Sequence, residues 1–422
     1  MARLTRVRLG ATTALVALGV GVSGCGDTAD EPTGIVRTSA CAVSAPAGFA
    51  DAGMGAAVLD EVRAAAAEGV VDTTSSQRVS TAAQTRAALE RTAENGCTLG
   101  VLVGPGGAGA LARVAEENPE RAFLAVGPGT NVGQPDNVLT IDFDLRESAY
   151  LAGYAAASAT RTGTVAVSTA QGQLQGAELL AAFDDGVRAR AEEGDADVTV
   201  LDEGAVDVRT LDDTAAAGLA WAESATDADA DVLVPFGSAA PQGVAEHIGG
   251  LAEEAEAADD APTDAAAQPG SDEGEPENDP VGTSAEDDDL PVLIWYGSDG
   301  STTLPRPVRN QVVASIVPDV GLGMRAVLTG WPGEGRDPEE LVRDADPAGR
   351  EAAGDDAREA VPELVGGLEV RARRAVGDLD NEGVAVVASN GVLGSITGLG
   401  RALAEERDRL DEEREAADGA ED

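Results

Sequence analysis

The chain has no lysine, a single histidine and three cysteines among its 422 residues, and only 3% of its residues are aromatic. His247, which we expect on a helix surface, would be the only base for a Ser-His-Asp triad, and no cysteine spacing fits a zinc site. We therefore expect no metal, no cofactor and no enzymatic activity. The 76 acidic residues against 29 arginines give a formal net charge of -47, which excludes nucleic acid as a partner.

The first 25 residues carry a targeting signal. Three arginines precede the apolar run LGATTALVALGVGV, and Ser-Gly-Cys25 follows it. The run is too short to span a bilayer, and with its basic front it predicts a secretory signal peptide over 1–24. Cys25 after two small residues resembles the lipobox of bacterial lipoproteins, which implies a lipid anchor on the extracytoplasmic face of the cell membrane and a linker over 25–36. The alternative is ordinary secretion with Cys25 free or paired.

After this signal, short β-rich runs alternate with alanine-rich helical stretches, a pattern typical of βαβ units. The expected strands of the first series lie at 38–45, 69–74, 98–103, 122–126 and 138–143, and the helices at 52–68, 80–95 and 107–118. A helix over 147–160 leads to a second series, with strands from 163, 198, 231 and 292 and helices from Gly176, Leu211 and Pro241. Two consecutive sets of parallel strands predict two doubly wound α/β lobes.

The domain organisation follows from these two series. We assign 37–145 to the first lobe, 146–315 to the second lobe, 316–400 to a return segment completing both, and 401–422 to a charged C-terminal helix. Residues 252–290 are acidic and nearly free of large apolar side chains, which predicts a disordered insert in the second lobe. A calcium site is the alternative there, although the spacing is not that of an EF-hand. Residues 332–378 are charged and helix-prone, and 382–394 supply one more strand.

Two cysteines remain after Cys25 is assigned to lipid. Cys41 lies in the first expected strand, and Cys97 opens the run CTLGVLVG that contains the third. The first and third strands of a doubly wound sheet are neighbours, and an extracytoplasmic compartment permits disulfides. We therefore predict a Cys41–Cys97 disulfide. Two small, buried thiols are the alternative.

Three features at expected strand ends are candidates for ligand binding. The turn GPGGAGALA at 104–112 can direct backbone N–H groups at a polar ligand, with Gly104 as the candidate, although a close strand-to-helix turn is an equal alternative. It has neither dinucleotide spacing nor the GK[ST] ending of a P-loop. Asp51 and Asp299 each follow a strand, where ligand hydroxyls are commonly bound, and they also fit a carboxylate pair for glycoside hydrolysis.

Several segments occur together in an order typical of one protein family. They are VSAPAGFADAGMG at 43–55, VLVGPGGAGALARVAEENPERAF at 101–123, DNVLTIDFDLRESAYLAGYAAA at 136–157, ADVLVPFGSAAPQGVAE at 230–246 and YGSDGS at 296–301. Together they resemble the basic membrane protein (Bmp) family of nucleoside-binding lipoproteins, the substrate receptors of ABC importers. The resemblance implies a type I periplasmic-binding-protein fold with two hinged lobes, a nucleoside-like ligand between them and an ABC permease as partner.

The resemblance also implies ligand positions, several of which are substituted. Ala45, Ala50, Met54, Gly127 and Pro318 stand where the family has Asp, Asn, Phe, Asp and Lys. The candidate ligand-binding residues are Phe49, Asp51, Met54, Gly104, Phe236, Gly237, Trp295 and Asp299, with Tyr296 as a further wall candidate. Burial in the core is the alternative for the aromatic ones. The competing function is a non-transport envelope lipoprotein, a sensor or interaction module with a degenerate site.

Overall fold

The computed structural model describes most of the chain after residue 38. The described residues are 39–44, 47–79, 81–127, 129, 135, 137–171, 173, 175–201, 209–259, 290–330, 363–365, 368–371, 374–389 and 398–421. The expected signal peptide, Cys25, the linker and residues 260–289 of the expected insert lie outside them. Two mostly parallel sheets with helices between their strands confirm the α/β class.

The first sheet has eight strands. In chain order they are β1 (Ser39–Val43), β2 (Thr73–Gln77), β3 (Leu99–Val103), β4 (Ala122–Val126), β5 (Val138–Phe143), β12 (Glu363–Val365), β13 (Leu368–Arg371) and β14 (Arg374–Gly377). Their spatial order is β12-β13-β14-β5-β4-β3-β1-β2. β1 to β5 and β14 pair in parallel, and β12 and β13 add antiparallel strands at the edge.

The second sheet is built in the same way. Its strands are β6 (Thr164–Ala170), β7 (Thr199–Val200), β8 (Thr210–Leu211), β9 (Val232–Pro235), β10 (Val292–Tyr296), β11 (Val312–Pro318) and β15 (Val384–Ala388). The order is β15-β11-β10-β9-β6-β7, with β8 also paired to β6. Only β15 runs antiparallel to its neighbour among the described pairs.

Helices cover both sheets. They are α1 (Met54–Ala67), α2 (Ala82–Glu94), α3 (Ala108–Glu117), α4 (Arg146–Ala159), α5 (Gly176–Gly194), α6 (Ala215–Asp227), α7 (Ala240–Asp259), α8 (Gly300–Thr303), α9 (Val320–Gly330) and α10 (Leu399–Glu421). Short 3-10 turns occupy Pro105–Gly107 and Val308–Gln311. Every residue of β3, β4 and β5 is buried, as expected for parallel strands that are covered on both faces. No helix in the described ranges combines the length and apolarity needed to cross a bilayer.

The described chain passes between the two sheets three times. It leaves the first sheet after β5, returns after β11 to form α9 and β12 to β14, and leaves again before β15. α4 packs on α5 and on strands of the second sheet, whereas α9 packs on α1. The C-terminal helix α10 rests on α4, where the Tyr150 hydroxyl donates a 2.6 Å hydrogen bond to Glu406.

The predicted disulfide is confirmed. Cys41 and Cys97 are bonded, with their Cα atoms 6.1 Å apart. β1 lies between β2 and β3, so Cys41 on β1 sits beside the start of β3. Both cysteines are buried, and the bond joins β1 to the residue two positions before β3, in the interior of the first sheet.

Two expectations about the charged segments were wrong. The predicted disordered insert was to begin at Ala252, but α7 continues to Asp259, and Ala252 itself is buried. Alanine and glutamate favour helix, so the acidic composition did not end it. The segment 332–378 was expected to be helix-prone, yet its described part forms β12, β13 and β14. There β14 pairs with the buried strand β5, and this tertiary pairing overrides local propensity.

Two strands and one side chain also differ from expectation. The second strand is Thr73–Gln77 rather than 69–74. It lies at the edge of the sheet, where a strand needs no apolar sequence, and the apolar Val71 is buried in the turn before it. The strand expected from 198 is only Thr199–Val200. His247 was expected to be a surface residue of a helix, but on α7 its side chain is half-buried, with Nε2 3.0 Å from Thr226 Oγ1. This burial lowers the pKa of the imidazole.

Candidate functional site

A cavity of about 210 Å³ lies between the carboxyl ends of the two sheets. The first sheet contributes Asp51, Gly53, Met54, Gly55, Val103, Gly104 and Gly106, and the second contributes Ala170, Gln171, Gln173, Asp213, Gly237, Ser238, Pro241, Trp295 and Tyr296. In open parallel sheets this edge is where ligands bind. The lining is mostly apolar or glycine, with a few polar groups, which is the composition of a small-molecule site.

Asp51 lines the cavity but holds the start of α1. Its carboxylate accepts hydrogen bonds from the backbone N–H groups of Gly53 at 3.0 Å, Gly55 at 2.8 Å and Ala56 at 2.8 Å. The N-terminal N–H groups of a helix have no partner within the helix, so a carboxylate there satisfies them. Asp51 is therefore a capping residue, with little hydrogen-bonding capacity left for a ligand.

Asp213 does the same on the opposite side of the cavity. Its Oδ1 accepts from the backbone N–H groups of Ser238 at 3.0 Å, Ala239 at 2.6 Å and Ala240 at 3.0 Å, at the start of α7. This residue was not identified from the sequence. Its signal was the one used for Asp51, an acidic residue just after a strand, here the short β8.

Tyr296, at the end of β10, is the largest polar side chain of the cavity and is only 6% exposed. Its ring lies 5.7 Å from that of Phe236, tilted by 47°. Its hydroxyl has no hydrogen-bond partner within the described ranges. Burial, followed by the negative charges of Asp142, Asp51 and Asp213, raises the pKa of the phenol, so the hydroxyl stays protonated and can donate.

Two further polar atoms at the cavity are buried without a partner among the described residues. They are Oε1 of Gln173, in the loop between β6 and α5, and Oγ of Ser238, just before α7. Neither residue was identified from the sequence, because only the fold brings these two loops to the end of β10. All three unpaired atoms belong to the second sheet's side of the cavity.

The two sides of the cleft are joined at Ala52. Its carbonyl oxygen accepts from Trp295 Nε1 at 2.9 Å and from Ser298 Oγ at 2.5 Å, both on the second sheet's side. Ala52 has a φ of 45°, a left-handed conformation that is uncommon outside glycine and directs this carbonyl at its two donors. Trp295 is 2% exposed, and these two hydrogen bonds join the two sides of the cleft.

Five of the eight candidate ligand-binding residues line this cavity, namely Asp51, Met54, Gly104, Gly237 and Trp295. Phe49 is half-buried against the core, and Phe236 is fully buried behind Tyr296. Asp299 is directed elsewhere, because its carboxylate accepts from the backbone N–H of Ser301 at 3.1 Å and from Ser301 Oγ at 2.6 Å and so caps α8.

The substituted family positions leave the first sheet's side poor in polar groups. Gly127, with a φ of 134°, has no side chain, and a Cβ there would meet the Met54 sulfur at 3.1 Å. Ala50 is exposed, and Ala45 lies outside the described residues. Across the part of the chain that the structure describes, no group of three or more His, Cys, Asp or Glu residues is arranged to hold a metal ion.

Comparison with known proteins identifies the family. A family model described as ABC transporter substrate-binding protein PnrA-like, the Bmp family, matches residues 38–260. The chain belongs to the Bmp family. The cavity thus lies in a chain whose family consists of substrate-binding proteins of ABC transporters. No curated protein matches the sequence.

Solved structures agree on the fold of this Bmp protein. An ABC transporter solute-binding protein from Conexibacter woesei DSM 14684 is 15% identical, with 90% of this chain and 97% of that chain covered and a TM-score of 0.51. Another from Aeropyrum pernix K1 is 14% identical, with 88% and 86% covered and a TM-score of 0.54. At these identities the likeness shows the periplasmic-binding-protein-like fold alone.

Proposed function

We propose that this chain captures a nucleoside or a related small polar solute in the cavity and delivers it to an ABC permease. The observation that carries the proposal is the cavity itself, which both sheets line at their carboxyl ends. Hydrogen bonds from Trp295 and Ser298 to the Ala52 carbonyl join its two sides. Ligand capture would proceed by closure of the lobes 37–145 and 146–315. The hinge would be the three passages between the sheets, at 143–146, 318–320 and 377–384.

A thermal-shift screen with nucleosides, nucleobases and sugars tests the binding function. A ligand present at 100 times its dissociation constant stabilises the folded protein by about 2.7 kcal/mol, so a true ligand raises the melting temperature measurably. We expect at least one nucleoside or sugar to do so. A screen without any response would contradict the proposal.

We further propose that Cys25 carries a lipid that holds the protein at the extracytoplasmic face of the cell membrane. The support is the sequence around Cys25, where a basic, apolar stretch ends in Ser-Gly-Cys. In a Cys25→Ser variant, the protein should leave the detergent phase for the medium or remain unprocessed. Unchanged partitioning into detergent would contradict the anchor.

The second candidate is a non-transport envelope lipoprotein that kept the fold. It is favoured by Ala50, Gly127 and Pro318, which stand where the family has Asn, Asp and Lys, since each lost hydrogen-bond partner of a ligand hydroxyl weakens binding by roughly 0.5 to 3 kcal/mol. A permease encoded beside this chain favours transport. Its absence, together with a silent ligand screen, favours the second candidate.

A further inference from the structure

We propose that Tyr296, Gln173 and Ser238 determine specificity, by holding the polar edge of an uncharged ligand. The inference rests on the proposed function and deepens it. Its basis is that Tyr296 Oη, Gln173 Oε1 and Ser238 Oγ are buried, line one cavity and have no partner in the described part of the chain. A buried polar atom without a hydrogen bond costs about 1 to 3 kcal/mol, so three at one site indicate partners supplied by a ligand.

The cavity offers no positive charge to an anionic ligand. No arginine lines it among the described residues, and the chain has no lysine. An anion would therefore meet only the carboxylates of Asp51 and Asp213. A cation would meet both carboxylates, although Asp51 and Oδ1 of Asp213 each already accept three backbone N–H groups. An anionic group in this cavity would lose its hydration without gaining an opposite charge, which excludes phosphorylated solutes.

The three residues define the hydrogen-bonding character of the ligand. A protonated phenol donates, the Gln173 carbonyl oxygen accepts, and the Ser238 hydroxyl can do either. The ligand should thus present an acceptor and a donor on the same edge, as hydroxyl pairs and amide edges do. The apolar lining, with Met54 and Val103 on the first sheet's side and Trp295 on the second sheet's side, fits a flat or apolar face of the ligand.

The fixed position of the Tyr296 hydroxyl makes it the leading member of the set. The buried ring of Phe236 supports the Tyr296 ring at 5.7 Å, and β10 holds its backbone between β9 and β11. The hydroxyl is therefore oriented before the ligand arrives, which reduces the ordering cost of binding. Phe236 is accordingly a positioning residue and does not contact the ligand.

The test compares Tyr296→Phe with Tyr154→Phe, whose hydroxyl donates at 2.7 Å to Glu193 away from the cavity. Calorimetric titrations use inosine, uridine, ribose and glucose as uncharged probes, and inosine 5′-phosphate, glutamate and spermidine as charged ones. We expect an uncharged probe to bind wild-type protein, Tyr296→Phe to weaken it about tenfold, and Tyr154→Phe to leave it within twofold. Gln173→Ala should weaken the same probe by a similar factor.

A second measurement needs no ligand. Because the Tyr296 hydroxyl has no partner among the described residues, the unliganded Tyr296→Phe protein should melt at the wild-type temperature or above, whereas Tyr154→Phe should melt lower. A clear loss of melting temperature in Tyr296→Phe would overturn the inference.

The remaining outcomes separate the inference from the proposed function. Binding of an uncharged probe that Tyr296→Phe leaves within twofold would overturn the inference and retain the solute-binding function. Binding of charged probes alone would do the same. If no probe binds wild-type protein, the proposed function fails and the inference fails with it.

Discussion

The two sides of the cavity differ in the state of their polar groups. On the first sheet's side, the carboxylate of Asp51 accepts three backbone hydrogen bonds, and the remaining lining is glycine, Met54 and Val103. On the second sheet's side, Asp213 also accepts three backbone hydrogen bonds, but Tyr296, Gln173 and Ser238 keep atoms without a partner in the part of the chain that the structure describes. The first side thus supplies shape, and the second supplies hydrogen bonds. Among the substituted family positions, Met54 and Gly127 lie on the first side, whereas Pro318 ends β11 of the second sheet.

The largest effect on the free energy of unfolding should come from removing the capping carboxylates. We expect the same loss of stability on both sides of the cavity. Asp51→Ala leaves three N–H groups of α1 without an acceptor and should lower the free energy of unfolding by about 2 kcal/mol. Asp213→Ala should do the same at α7. Urea unfolding of the unliganded proteins measures both.

Asp51→Asn is the matched control, since its amide oxygen still accepts and should retain part of the stability. If Asp51→Ala unfolds like wild type and yet binds no ligand, the carboxylate serves the ligand and the contrast between the two sides disappears.

A somewhat smaller effect on the free energy of unfolding should come from Tyr296 at alkaline pH. The buried phenol has a raised pKa, so the folded protein keeps a proton that the unfolded chain releases above about pH 10. This contribution to stability is complete below that pH. Above it, the contribution falls by roughly 1.4 kcal/mol per pH unit until the pKa of the folded state is reached.

Tyr296→Phe removes this contribution, so its free energy of unfolding should decline less between pH 8 and pH 11 than that of wild type. Urea unfolding at both pH values measures the difference. Equal declines would mean that the Tyr296 hydroxyl is open to water, and the second side would then lack its buried donor.

Sequence reasoning was accurate where burial decides the structure. β4 and β5 begin and end at the expected residues because their apolar runs are buried on both faces, and the disulfide followed from the adjacency of β1 and β3. It failed where the outcome depends on loops from distant parts of the chain. An aspartate after a strand fits both ligand binding and helix capping, and only the position of nearby N–H groups decides, as at Asp51 and Asp299.

Part of the second side of the site was missed for the same reason. Neither Gln173 nor Ser238 was singled out from the sequence, and they become candidates only because β6, β9 and β10 are neighbours that end at one cavity. Trp295 was correctly placed on a strand and at the cavity. Its bond to the Ala52 carbonyl depends on the contact between the two sides of the cleft, which no local pattern encodes.

The bridge at Ala52 should have an effect of about 1 kcal/mol. Ser298→Ala removes one of the two donors to the Ala52 carbonyl and leaves Trp295 Nε1 in place. We expect a more open cleft, detected as a larger radius of gyration by small-angle scattering, and a several-fold weaker affinity for any solute that binds.

The control for Ser298→Ala is Thr303→Val, which removes the 2.8 Å contact between the Ser298 and Thr303 hydroxyls but keeps the bridge. A Ser298→Ala protein with wild-type scattering and affinity would show that this bond does not hold the two sides together.

The smallest effect on stability should come from Asp299. The family resemblance makes this residue a ligand-binding candidate, whereas in the structure it caps α8. Asp299→Ala removes a cap from the four-residue helix α8 and should cost about 0.5 to 1 kcal/mol of folding stability. Because its carboxylate does not line the cavity, the dissociation constant of a bound uncharged solute should stay within twofold in calorimetric titration. Asp299→Asn, which keeps an acceptor for Ser301, should match wild type in both measurements.

A tenfold loss of affinity in Asp299→Ala with unchanged unfolding would return this carboxylate to the ligand site. The second side of the cavity would then present a charged acceptor, and the uncharged ligand inferred from Tyr296, Gln173 and Ser238 would have to be reconsidered.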